Sequence, residues 1–194
     1  MRRVSLFLMG IGVSSEMVAI TGMILGILAG LSFMGTSEEF HLEVFWILGM
    51  VFCVLRIACI QVDSILQHPF AERSLEDVFF NELPERVSDA ITLIGFGFAM
   101  DSSPWLGLAA ALAAIFSAYV RSFGVSRGVG ERSAARGPMT RVHRLALLSL
   151  TSILMAVGVS TGTYALTIPQ VALWVIILGC VATILVRWLK IRNV

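Results

Sequence analysis

LEVFWILGMVFCVLRIACIQVD, residues 42–63, is an apolar run broken near its end by Arg56 and closed by Asp63. A bilayer core takes about 20 apolar residues per helical crossing, a length that Leu42–Val62 supplies. An arginine inside such a span turns toward protein or a wet cavity and takes a partner, because lipid cannot solvate it. Arg56, Ile60, Asp63 and Gln67 recur at steps of four, three and four, which places them on one helix face. That face looks into a bundle. Arg56 reads either as a snorkelling or ion-paired residue beside Asp63, or as a cation reaching a phosphate there.

The rest of the chain agrees with a membrane bundle. It is 57 % hydrophobic and 14 % charged, with a mean hydropathy of +0.89. A water-soluble domain of this size has no way to hide so much apolar surface. Six spans are predicted, at Val13–Phe33, Leu42–Val62, Pro84–Met100, Trp105–Val120, Leu145–Leu166 and Ile168–Trp188, within one transmembrane domain over residues 1–194. Pro84 suits a first helical turn, where its missing N–H has no intrahelical use. The fold class is an all-α integral membrane protein.

Basic residues set the orientation. Arg2 and Arg3 precede the first span and Arg73 lies between the second and third. Arg121, Arg127, Arg132, Arg136, Arg141 and Arg144 follow the fourth, and Arg187, Lys190 and Arg192 close the chain. Gly35–His41, Asp101–Pro104 and Ser160–Thr167 carry no Lys or Arg. The positive-inside rule then places both termini in the cytoplasm. Arg2-Arg3 and the apolar Val4–Val13 have some signal-peptide character, but no small-x-small cleavage site follows, so cleavage is not expected.

Other features carry less. Cys53, Cys59 and Cys180 fall inside spans and indicate no disulfide framework. His41, His68 and His143 lack zinc-site spacing. Gly22, Gly26 and Gly30 form a small-xxx-small stripe that suits close helix packing. Ser14 or Ser15 is a candidate cap of that first span, with Glu16 in its first turn.

Acidic and amide residues recur at four-residue steps from Asp77 through Asn81 and Glu85 to Asp89. On a helix Asn81, Glu85 and Asp89 stack, and like charges so placed repel unless neutralised. A divalent cation with oxygen ligands is the natural partner. The bland reading is an acidic helix start favoured by the dipole, although Asp89 lies deep for that.

The chain resembles the CDP-alcohol phosphatidyltransferases, six-helix membrane enzymes with the signature D-x2-D-G-x2-A-R-x8-G-x3-D-x3-D. Laid on this sequence without a gap, its fixed positions fall on Ile60, Asp63, Ser64, Gln67, His68, Asp77, Asn81 and Glu85. Asp63 is identical, and Asn81 and Glu85 keep oxygen-bearing side chains. Ile60 stands where the first aspartate would be. Neighbouring stretches extend the resemblance: Asn81–Ala90 (NELPERVSDA) is similar to a branch with F-N-E-x-P-D-R, and Gly137-Pro138-Met139-Thr140-Arg141 with His143-Arg144 is similar to that branch's G-P-M-x-K/R-x-x-R. Ala118–Arg121 and Gly12–Gly30 resemble the ends and openings of family spans.

The resemblance implies transfer of a phosphatidyl-type group from a CDP-linked lipid to an alcohol, with CMP released, in phospholipid biosynthesis. It implies Mg²⁺ or Mn²⁺ held by Asp63, Asn81 and Glu85, with Glu85 as the base. Arg56, Ser64, Arg121 and Arg141 become candidate substrate contacts, and a homodimer among membrane lipids is the implied assembly. The alternative is a non-catalytic member of the fold acting as scaffold or partner, which the lost Ile60 ligand favours. Nucleic-acid binding is not expected, because the basic loop adjoins spans and lacks interleaved aromatics.

Overall fold

A computed structural model describes residues 14–37, 42–66, 75–161 and 167–192, the side chains of 75–81, 131, 132 and 160 excepted. The chain forms seven helices within those residues and no strand. They are α1 (Ser15–Gly35), α2 (Leu42–Leu66), α3 (Leu75–Gly97), α4 (Pro104–Ser126), the short α5 (Glu131–Ala135), α6 (Arg141–Thr161) and α7 (Ile168–Arg192). An all-helical build satisfies each backbone N–H inside its own segment, which a bilayer requires.

Five helices, α1, α2, α4, α6 and α7, are long and apolar enough to cross a membrane. The chain is an integral membrane protein. The third expected span differs from the other five: α3 begins at Leu75 rather than Pro84. Its first fifteen residues include Glu82, Glu85, Arg86 and Asp89. Pro84 is therefore interior to the helix and not in its first turn. Outward faces are apolar in the other helices, with Leu112, Leu178, Trp174 and Leu185 all more than half exposed. Such faces suit lipid.

Ser14, not Ser15, caps α1: its side chain accepts the backbone N–H of Met17 at 3.2 Å. α1 packs on α2 and α3, α2 on α6, α3 on α4, and α4 on α7. The glycine stripe explains the α1–α3 contact. A Cβ at Gly95 of α3 would fall 2.3 Å from the Gly30 carbonyl oxygen, so only hydrogen fits there. Ser88 and Thr92 of α3 donate to the Gly22 and Gly26 carbonyl oxygens at 3.2 and 3.0 Å, adding polar ties along the seam.

At the end of the bundle away from Arg56, Phe33, Trp46 and Phe96 interlock. Phe33 meets Phe96 edge-on at 4.9 Å between centroids, and Trp46 meets Phe96 at 5.8 Å. The Met100 N–H donates to Thr36 Oγ1 at 2.9 Å, tying the α3–α4 loop back to α1. With this end packed by apolar rings, the polar residues of α2, α3 and α6 collect at the other.

Candidate functional site

Asp89 is the centre of that polar end. It projects from α3 with only 8 % of its surface exposed. Arg56 Nη2 of α2 reaches its Oδ1 at 2.6 Å, and Arg144 Nη2 of α6 reaches its Oδ2 at 2.6 Å. Arg141 Nε adds a longer contact to Oδ2 at 3.3 Å. Burial of a carboxylate costs heavily unless it is paired and hydrogen-bonded. Here three guanidinium groups surround it.

Arg56 is held along its length by α3. Its Nη1 donates to Thr92 Oγ1 at 3.3 Å and its Nη2 to the Glu85 carbonyl oxygen at 3.2 Å. Both helix-face readings placed Arg56 toward the interior; its acidic partner is Asp89. Arg141 bridges outward and pairs with the Glu85 carboxylate through Nη1. The side chains of Arg141 and Glu85 are 19 % and 25 % exposed, so this pair stands nearer water than the Asp89 cluster.

The loop before α6 places these arginines. A Cβ at Gly137 would lie 2.3 Å from Thr183 Cγ2, so glycine lets the loop settle against α7. The Met139 N–H then donates to Thr183 Oγ1 at 2.9 Å. Arg141 and Arg144 are three residues apart at the start of α6 and reach α3 together. Arg144 Nη1 also contacts Cys180 Sγ of α7 at 3.9 Å.

Beside this cluster lies a small cleft open to the outside. Val18, Ala19, Gly22 and Met23 of α1 form one wall, and Arg56, Cys59, Ile60 and Asp63 of α2 the other. Glu85 and Arg141 complete it. Asp63 and Glu85, two of the three expected metal ligands, thus share one cleft with the candidate substrate contacts Arg56 and Arg141. Asp63 accepts a hydrogen bond from Ser15 Oγ at the start of α1. The Asn81 and Asp77 side chains lie outside the described residues. Ser64 is exposed and donates to the Gln61 carbonyl oxygen of its own helix at 2.9 Å. Arg121 is exposed on α4, apart from the cleft lining.

Among the described residues the donor set does not fit a divalent-metal centre. Glu85 and Asp89 already accept guanidinium N–H groups, and Ile60 presents hydrocarbon to the cleft. Among the described residues, no three His, Cys, Asp or Glu side chains come together in a metal-holding group.

A second cationic feature lies toward α7. Arg187 is 7 % exposed and donates to Ser117 Oγ at 2.9 Å and to the Ala135 carbonyl oxygen at 3.1 Å. Its Nε has no partner, and no carboxylate lies within ion-pair distance among the described residues. In the sequence Arg144 stands only in the G-P-M-x-K/R-x-x-R match and the basic loop, Arg187 only among the closing basic residues and Ser15 only as a candidate cap, none of them as a site residue. The three-residue step from Arg141 within that match is the signal for Arg144; a lone basic residue late in the last span gives little for Arg187.

No protein-family model and no curated protein matches the sequence. Solved structures do match. The manganese and citrate complex of Mycobacterium tuberculosis phosphatidylinositol phosphate synthase superposes with a TM-score of 0.71 at 13 % identity, covering 98 % of this chain and 88 % of that one. The chain shares the fold of a phospholipid synthase. The apo form of the same enzyme gives a TM-score of 0.63 at 17 % identity, over 98 % and 95 % of the two chains. At such identities the likeness establishes the bundle, and the chemistry has to be argued from this chain's own residues.

Proposed function

We propose that this protein moves a phosphatidyl-type group from a CDP-linked lipid to an alcohol, releasing CMP. The observation that carries the reading is the Glu85–Arg141 pair, set in one cleft with Asp63 and Arg56, in a bundle alike throughout to a phosphatidylinositol phosphate synthase. Arg141 is the more exposed of the guanidinium groups around Asp89, and it sits at the cleft wall.

In this reading the donor's pyrophosphate draws Arg141 from Glu85, because a guanidinium fork pairs two phosphate oxygens as readily as carboxylate ones. Glu85 is then free to take the alcohol proton. The alcohol oxygen forms a bond to the lipid-bearing phosphorus. The bond from that phosphorus to the bridging oxygen breaks, and CMP leaves with the electron pair. Arg56, fixed by Asp89 and Thr92, supplies standing positive charge beside the leaving phosphate.

Arg187 and Arg121, without carboxylate partners among the described residues, suit an acceptor that itself bears a phosphate. The test is CMP release from CDP-diacylglycerol by purified protein with a panel of acceptors: inositol, inositol phosphate, glycerol phosphate and serine. Release coupled to a lipid product, strongest with a phosphorylated acceptor, is expected. Two observations favour a second reading, a non-catalytic member of the fold: Ile60 at the cleft, and Asp89 saturated by arginines. A folded protein that released no CMP with any acceptor on the panel would favour that alternative.

A further inference from the structure

Three guanidinium groups and three carboxylates share this polar centre. Arg56, Arg141 and Arg144 stand against Glu85 and Asp89, with Asp63 on the facing wall of the cleft. The cluster is neutral as it stands. We infer that Arg56, Arg141 and Arg144 do the work of divalent cations here, so that the centre folds and binds a phosphate ester with no divalent metal.

Three features of the site support this. The first is exhaustion of ligands. Both Asp89 oxygens accept guanidinium N–H groups at 2.6 Å, within the range of strong charge-assisted bonds. A cation entering there would have to displace Arg56 and Arg144, whose side chains are only 3 % and 8 % exposed. Each displaced arginine would be a buried, uncompensated charge, which is the costliest outcome for such a pair.

The second feature is the cleft wall. A hard divalent cation wants six or more oxygen ligands. Ile60 offers none on the α2 side, and among the described residues Asp63 and Glu85 are the carboxylates lining the cleft. The third is rigidity. Thr92 and the Glu85 carbonyl oxygen hold Arg56, and the loop docked on Thr183 holds the start of α6. The Arg56 guanidinium, fixed in this way, presents positive charge without reorganisation, which is what a bound metal provides for a phosphate.

The phosphate-ester part rests on the proposed function; the metal-free part does not. The experiment therefore separates them. The full chain, purified in lipid nanodiscs and stripped with EDTA, is titrated with Mn²⁺ and followed by electron paramagnetic resonance of the free ion. No saturable loss of free Mn²⁺ signal is expected, and the unfolding midpoint should be the same in EDTA and in Mn²⁺. CDP-diacylglycerol added in EDTA should raise that midpoint. Stoichiometric Mn²⁺ binding, or a CDP-diacylglycerol shift that appears only with Mn²⁺, would overturn the inference. Absence of any lipid-induced shift under both conditions would instead remove the CDP-lipid from the proposed function, with the Mn²⁺ titration still deciding the metal.

Discussion

Asp89 and Arg144, 55 positions apart in the chain, meet at 2.6 Å inside the bundle. Their contact links α3 to α6, and Arg56 carries the link on to α2. The centre thus ties three helices together. Asp89→Asn leaves Arg56 and Arg144 buried without a counter-charge. Breaking one side of a buried ion pair costs about 3–5 kcal/mol. We expect a large fall in the unfolding midpoint of the purified protein, measured in detergent by intrinsic fluorescence. An Asp89→Asn protein that melts with the wild type would show that the pairing contributes nothing.

The glycine seam gives a sharper contrast, because two glycines face very different surroundings. A Cβ at Gly95 would meet the Gly30 backbone at 2.3 Å, whereas one at Gly22 would meet Cys59 Cβ at an ordinary 3.6 Å. Gly95→Ala should force α1 and α3 apart and cost ~1–3 kcal/mol, the usual penalty for overpacking. Gly22→Ala should be neutral or slightly stabilising, since alanine is the better helix former. Equal midpoints for the two variants would contradict the α1–α3 approach.

Much of this arrangement was legible in the sequence, and its limits have physical causes. Span length and the apolar composition announced the helices, and an arginine in a span announced an inward face. The glycine stripe announced the close seam. The helix that carries the third span begins at Leu75, ahead of the apolar stretch from Pro84, so apolar length does not reveal its charged start. Asp89, which the sequence places on the same acidic helix face as Asn81 and Glu85, is the buried hub of the arginine cluster. Nothing local to Asp89 reveals that Arg144 will arrive from α6, since that pairing depends on how α6 packs on α2. Its depth beyond the first helical turn was the one sequence clue.

Orientation is open to a direct test. Cys53 and Cys180 are buried, so a membrane-impermeant maleimide has little native background beyond the half-buried Cys59. Ser126→Cys lies exposed at the end of α4, in the arginine-rich connection, and Ser37→Cys lies exposed just after α1. The positive-inside rule predicts that Ser37→Cys is labelled in intact cells and Ser126→Cys only after lysis. The reverse pattern would put the Asp63–Glu85 cleft on the outer side and remove its access to cytoplasmic CDP-lipid.

Glu85→Gln tests the chemistry with least disturbance of the fold. The amide keeps an oxygen that can accept from Arg141, and the pair it replaces is partly exposed, so the unfolding midpoint should change little. What the amide lacks is the capacity to take a proton at neutral pH. If Glu85 receives the acceptor's proton, CMP release should fall by ~10²–10⁴-fold, the usual loss on removing a general base. Binding of CDP-diacylglycerol should persist, or tighten slightly, because Arg141 no longer has a charged partner to leave. Arg141→Gln should do the opposite, weakening binding of the lipid while leaving a carboxylate in place. A Glu85→Gln protein that releases CMP at the wild-type rate would transfer the base role to Asp63, the facing carboxylate of the same cleft.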